Sequence, residues 1–215
     1  MKLRTAAATL AATALLAAGT AAPATAGSQE GKKLGNRSLA TVLTSDGNTF
    51  DRNGRDYDIV TEAVLAVLGA KPDSPVKILT QGKKPVTAFI PNDWSFKKLV
   101  KDLTGTWPKT EKATFNALVS AVGVDAIEQV LLYHVVPGAT ITSKTALGAD
   151  GVELTTAQGG KITVDVLYKR IPLVQLGDLD PNDTDPFLDP SALDINKGNK
   201  QIAHGILFVL RPLDL

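Results

Sequence analysis

The chain has no cysteine and only two histidines in 215 residues. Without cysteine there is no disulfide framework, no thiolate metal site, no cysteine nucleophile and no lipid-anchored N-terminal cysteine. Two histidines nearly remove histidine-rich metal chemistry. Neither sign of charge dominates: Lys+Arg number 23 and Asp+Glu 22, which excludes a basic or acidic tail as the main feature. With no basic stripe, nucleic-acid binding is not expected. Also missing are a G-x-S-x-G elbow, a phosphate-binding P-loop, an H-E-x-x-H helix and a dinucleotide fingerprint. No nucleophile–base set can be named, so the chain is read as a non-enzyme. Beyond the N-terminus no segment carries the roughly 18 consecutive apolar residues of a spanning helix. What is present in quantity is apolar surface, 44% of residues, which excludes disorder throughout.

The N-terminus carries Lys2 and Arg4, then an alanine-rich uncharged run ending in Ala24-Thr25-Ala26 before Gly27. A charged start, an apolar middle and a small-residue cleavage site make residues 1–26 a secretory signal peptide. The mature chain 27–215 is then expected to be secreted and extracellular, without an integral membrane span. Lacking disulfides, it must draw its stability from a core, which a chain of this length can build.

Residues 27–37 are polar and glycine-rich and read as a flexible entry. Ser38 can cap a short helix over 39–43. Residues 44–58 form a Gly/Asn/Asp-rich loop, with Asp58 as the cap of a helix whose apolar face carries Val60, Val64 and Val67. A linker is expected over 71–85. Residues 86–90 (VTAFI) make a buried strand, broken by Pro91-Asn92-Asp93, and Asp93 can cap the helix that follows, with Phe96, Leu99 and Leu103 in one stripe. A helix from Thr110 is interrupted at Gly123 and resumes at Asp125. The run 132–136 reads as a strand entering the Pro137-Gly138 turn. Residues 152–156 and 161–167 form a hairpin, 177–199 a second Asp/Pro-rich loop, and 201–210 a final strand. Helices come first and strands mostly last, an α+β order, and no internal repeat is present.

Three segments carry a family signature. V-T-A-F-I-P-N-D-W-S-F (86–96), with Phe89, Pro91, Asp93 and Phe96, resembles the first signature of the fasciclin-like (FAS1) domain. I-A-H-G-I-L-F-V-L-R-P (202–212), with His204, Ile206, Val209, Leu210 and Pro212, resembles the second. Tyr133-His134 before Val-Val-Pro-Gly resembles the tyrosine–histidine motif between them. Spacing and order agree over residues 38–213. The resemblance implies a single fold in which a wedge of β-strands packs with a helical layer. It also implies a non-catalytic adhesion or recognition module that binds a cell-surface or matrix protein or a polysaccharide. Two departures stand out. Ile90 replaces the usual small residue, and Ser95 stands where alanine is common. Leu207-Phe208 stand where an Asp-Ile element linked to receptor binding is found in some animal members, so integrin binding is not carried over.

Two groups of residues are candidate sites. Tyr133 and His134 are the partner-binding pair that the resemblance suggests; the structural alternative is a phenol and an imidazole that satisfy buried backbone groups. In the second loop, Asp178, Asp180, Asn182, Asp185 and Asp189 offer hard oxygen ligands suited to calcium. The loop is not an EF-hand, because Asp183 stands where glycine is needed and prolines interrupt the flanks. The alternative is a solvated acidic turn stiffened by proline. No other cofactor is implied. A calcium-stabilised carbohydrate or small-ligand binder is the second functional reading, and Trp107 and Tyr168 are loop-adjacent candidates for contact, with a place in the core as the alternative.

Overall fold

The computed structural model describes residues 33–45, 47–168, 170 and 173–213. The expected signal peptide over residues 1–26 and residues 27–32 of the entry lie outside the described residues. Helices α1 (Leu39–Leu43), α2 (Asp58–Ala70), α3 (Asp93–Thr104) and α4 (Glu111–Tyr133) form the helical layer, and α5 (Ser143–Ala146) is a single turn. The strands are β1 (Val86–Pro91), β2 (Val135–Pro137), β3 (Val152–Thr155), β4 (Lys161–Tyr168), β5 (Leu173–Gly177), β6 (Phe187–Leu188) and β7 (Gln201–Leu207). They make one sheet in the order β2-β1-β7-β6-β5-β4-β3. Neighbours pair antiparallel except β1 and β7, which run parallel from Val86↔Gln201 to Pro91↔Ile206. The class is α+β, a strand wedge with a helical layer.

Strand β1 explains why the strand part of the first signature is apolar but for Thr87, whose buried hydroxyl donates to the Ala139 carbonyl at 3.0 Å. Successive strand side chains point to opposite faces. Val86, Ala88 and Ile90 enter the core shared with α1–α4, which includes Ile59, Val64, Phe96, Leu99 and Leu131. Phe89 enters a second core with Tyr133, Ile162, Leu176 and Ile206. Both faces are covered, so no polar alternation is allowed.

Several local expectations are corrected. Asp58 does not cap α2: it is the first helical residue, and Tyr57 at the cap position makes no side-chain cap bond. The Ile59 N–H is held instead by Asp93 Oδ1 at 3.0 Å. Asp93 therefore serves another helix, and its own is capped by Asn92, whose Oδ1 accepts from Ser95 N at 3.0 Å. The linker 71–85 contains a 3-10 turn, Pro75–Thr80, that buries Val76 and Leu79. The run at 132–136 divides: α4 continues through Tyr133, His134 caps it, and only Val135–Pro137 is strand. Loop 177–199 contributes β6, and the final strand stops at Leu207.

Gly123 interrupts α4 as its sequence position suggests, with φ 76° and ψ 168°. That region is essentially closed to side-chain-bearing residues. Among the described residues α4 is long enough and apolar enough on average to cross a membrane, although it holds no run of roughly 18 consecutive apolar residues, as its sequence shows. Here it is bent at Gly123, and Leu118, Ile127, Leu131 and Leu132 are buried in the helical core.

Candidate functional site

The residues of the tyrosine–histidine motif lie inside the protein. Tyr133 is 0% exposed, and its hydroxyl donates to the Lys161 carbonyl at 2.6 Å. His134 is buried between α4 and the end of the second signature. Its Nε2 accepts from Leu210 N at 3.1 Å, so Nδ1 carries the proton and donates to the Val130 carbonyl at 2.7 Å. Burial pushes the imidazole down to about 4, against the opposing effect of the Val130 carbonyl, and the ring is neutral. His204 is a second neutral, buried imidazole. Its Nε2 donates to the Ile141 carbonyl at 2.8 Å and its Nδ1 accepts from Asp194 N at 3.3 Å, so both nitrogens are taken by backbone groups. The geometry of both histidines is that of groups satisfying buried backbone.

The five residues of the proposed calcium loop do not converge on one point. Asp180 and the neighbouring Asp183 turn inward onto Arg211 from the second signature. Nη1 of Arg211 lies 3.2 Å from Asp180 and Nη2 lies 2.8 Å from Asp102 on α3. Nε is 2.8 Å from Asp183, an ion-pair distance without hydrogen-bond alignment. Burial raises Asp183 and its Arg211 partner opposes that, whereas Lys98 and Arg211 overcome burial at Asp102 and hold it low. Asp178 accepts from Asp180 N at 2.9 Å and from Arg211 N at 2.7 Å, and burial is the main cause of its rise to about 6. Asp185 accepts from Asp178 N at 3.1 Å. Asn182 is exposed, and its amide lies 3.3 Å from Asp180 Oδ1. Asp189 folds back on Ser191 in a local turn, at 2.8 Å from its N–H. Asp178, Asp183 and Asp185 do bring one oxygen each within 4.8 Å of one another. The principal cation of this loop is nevertheless an arginine, a contact between distant segments that no local spacing announces.

Beside this ionic centre lies a cleft of about 480 Å³ lined by Ser95, Lys98, Asp102, Asn182, Thr184 and Arg211. Phe208 also lines it and connects it to an aromatic cluster. Trp94 packs against Trp107 with ring centroids 6.5 Å apart and against Phe208 at 5.8 Å. The two indoles are 45% and 49% exposed, too much for core residues of their size. Trp107 was legible as a candidate from its loop position. Trp94 was not, because it follows the Pro-Asn-Asp break and reads as the first residue of a helix stripe. Phe208 was hidden by the strand reading: its φ of +75° turns it out of the strand direction. Tyr168, the other aromatic candidate, is 64% exposed but belongs to none of these ring contacts.

A second cavity, about 170 Å³, lies among α2, α3 and α4 and is lined by Val60, Phe96, Leu103, Leu118, Val122 and Leu213. Two polar side chains reach its wall: His134 already has both nitrogens bonded and Gln129 is exposed, so the space is mainly apolar volume with few groups to orient a ligand.

Comparison with known proteins agrees with this architecture. The family model described as Fasciclin domain matches residues 68–176. No curated protein matches the chain. Among solved structures, a FAS1 domain pair from the insect cell adhesion molecule Fasciclin I is similar at 17% identity and a TM-score of 0.48, over 71% of this chain. The aligned region spans 46% of that insect chain's length. With the family model covering half of its residues, the chain belongs to the fasciclin-domain family.

Proposed function

We propose that the protein is an exported recognition module that binds a cell-surface or extracellular-matrix partner without catalysis. The fasciclin domains are adhesion-related modules, and the leader over residues 1–26 supports export. The observation that carries the reading is the pair of half-exposed indoles, Trp94 and Trp107, joined through Phe208 to the Arg211 cleft. Aromatic residues beside arginine are the groups that most often dominate binding energy when a partner covers them. Here they are presented by the start of α3, the α3–α4 connection and the end of β7, elements fixed by the core. Tyr133 and His134 contribute by holding that scaffold: His134 fixes the Leu210 amide two residues beyond Phe208.

The aromatic cluster beside carboxylates, an asparagine and an arginine equally suits a polysaccharide, whose ring faces stack on indoles and whose hydroxyls need fixed donors and acceptors. The test is saturable binding of labelled 27–215 to the producing cells and their matrix, with calcium and with chelator. Saturable binding in both conditions, abolished by protease treatment of the cells, supports a protein partner. Binding that survives protease and is competed by the isolated polysaccharide supports the carbohydrate reading. Absence of saturable binding overturns the proposal.

A further inference from the structure

Five carboxylates from three segments meet at the other side of Trp94. Asp58, Asp93 and Glu111 are the first residues of α2, α3 and α4, so three helix N-termini converge there. The loop before α2 brings Asp51 and Asp56 to the same place: Asp51 N donates to Glu111 Oε2 at 2.6 Å, and the Asp56 carbonyl accepts from Asp93 N at 3.1 Å. Asp56, Asp58 and Asp93 bring one oxygen each within 4.8 Å of one another, and so do Asp51, Asp56 and Glu111.

Helix N-termini favour acids, so clustering alone is not informative. Two further observations are. Asp93 and Glu111 are both 0% exposed, and Asp93 Oδ2, Glu111 Oε1 and Asp56 Oδ1 are buried oxygens with no hydrogen-bond partner. A buried carboxylate oxygen left in this way is costly unless a proton or a cation meets it. The local charge points the same way. Each helix N-terminus carries about half a positive charge. Lys97 adds one, at 3.6 Å from Glu111 Oε1. With all four inner carboxylates ionised, as a bound cation requires, about 1.5 negative charges remain by that reckoning, which a divalent ion would bring close to neutrality.

The geometry points to a divalent-cation site, of the calcium class, formed by Asp56, Asp58 and Asp93 with Glu111 adjoining. Calcium binds oxygen at about 2.3–2.6 Å, and ligands on opposite sides of one ion are then about 4.8 Å apart, the limit these three oxygens satisfy. Three carboxylates and solvent can supply its six to eight ligands. The Asp178 loop is the weaker candidate because Arg211 already supplies its positive charge. An ion here would tie the loop 47–57 to α3, where Gly54 already accepts from Trp94 N at 2.8 Å. The site thus lies directly behind the recognition patch, but it does not depend on that patch having a partner.

The test uses the mature chain 27–215 in thermal unfolding with calcium, with magnesium and with EDTA, and in terbium luminescence sensitised by the neighbouring indole of Trp94. At 100 times its dissociation constant, calcium should raise the melting temperature by about 5–10 °C. The rise and the terbium signal should be lost in Asp56→Asn and Asp93→Asn and kept in Asp185→Asn. Should Asp93→Asn fail to fold, Asp56→Asn decides, its side chain being only partly buried. No calcium-dependent rise, a rise that survives Asp56→Asn, or one that disappears in Asp185→Asn overturns the assignment. A parent indifferent to calcium but stabilised by Asp56→Asn shows instead a proton shared between Asp56 and Asp93, and overturns it as well.

Discussion

The Phe208 N–H donates to Ser95 Oγ at 2.9 Å, and the Ser95 hydroxyl in turn donates to Asn92 Oδ1 at 2.8 Å. This chain links two places where the sequence departs from the fasciclin pattern, the serine in the first signature and Leu207-Phe208 in the second. An alanine at position 95 could not make it. The bond holds a bulky residue at φ +75°, a conformation that costs about 1–3 kcal/mol and persists only when its surroundings fix it. The result is an aromatic ring turned onto Trp94 at the rim of the cleft.

Ser95→Ala should therefore destabilise the protein by about 1–3 kcal/mol, because a backbone N–H loses its acceptor inside a tightly packed corner. Urea unfolding measures the loss. Tryptophan fluorescence should shift at the same time, since Phe208 is freed from its contact with Trp94. An unchanged emission spectrum would show that the Ser95 bond does not set the ring's position.

Trp94→Ala and Trp107→Ala should each weaken partner binding at least tenfold, about 1.4 kcal/mol. Tyr168→Ala, equally exposed but away from the cluster, should leave affinity unchanged. Both tryptophans are about half exposed, so melting temperatures should move little. Equal losses in all three variants would place recognition elsewhere.

Arg211→Ala should cost about 3–5 kcal/mol, the range for removing one member of a buried ionic network. It leaves Asp180, 0% exposed at its side chain, facing Asp183 and Asp102 without their shared cation. Arg211→Lys should recover only part of this, because an ammonium cannot reproduce the three-sided guanidinium geometry. Denaturant midpoints of the two variants decide the point. A neutral Arg211→Ala would mean that the loop folds without its cation.

His134 should draw stability down on mild acidification, against the raised carboxyls of Asp178 and Asp93, which act in the opposite direction. An unfolded histidine takes up a proton near 6.5, whereas His134 in the folded protein does so only at about 4. Between these values the unfolded state holds more protons, so unfolding free energy rises with pH by about 1.4 kcal/mol per unit. Its contribution is fully present above pH 6.5 and is lost as pH falls through about 4, amounting to about 3 kcal/mol. His204 is displaced in the same direction by burial and adds to the slope. Chemical denaturation of the parent and of His134→Gln across pH 4–7 measures it as the difference between the two curves, with the slope against pH lower in the variant. A slope unaffected by that change would assign the effect to other groups.

Much of the fold was legible in the residues. The apolar run 86–90, the break at Pro91, the cap at Ser38, the interruption at Gly123 and the hairpin 152–167 are local features, set by propensity, turn chemistry and period. The site was less legible. Of its three aromatic residues, Trp107 stood out as loop-adjacent, while Trp94 looked like part of a helix and Phe208 like part of a strand. Each needed a partner distant in the chain before its exposure had meaning. The acids show the same limit. Asp178–Asp189 drew attention by density, yet they fold onto Arg211. Asp56, Asp58, Asp93 and Glu111 are scattered over more than fifty positions and meet only because three helices start at one point.

The sequence by itself determined the order of helices and strands, the family, and the absence of disulfide and cysteine chemistry, because each depends on residue type and near-neighbour spacing. Tertiary structure decided which polar groups are inside. It turned Tyr133 and His134 into supports for buried backbone, gave Asp93 to the N-terminus of another helix, and set Arg211 among three aspartates. The physical reason is that a buried charge or hydrogen-bonding group must be matched by whatever the fold brings within about 3 Å, and that neighbour is fixed by the crossing of distant segments.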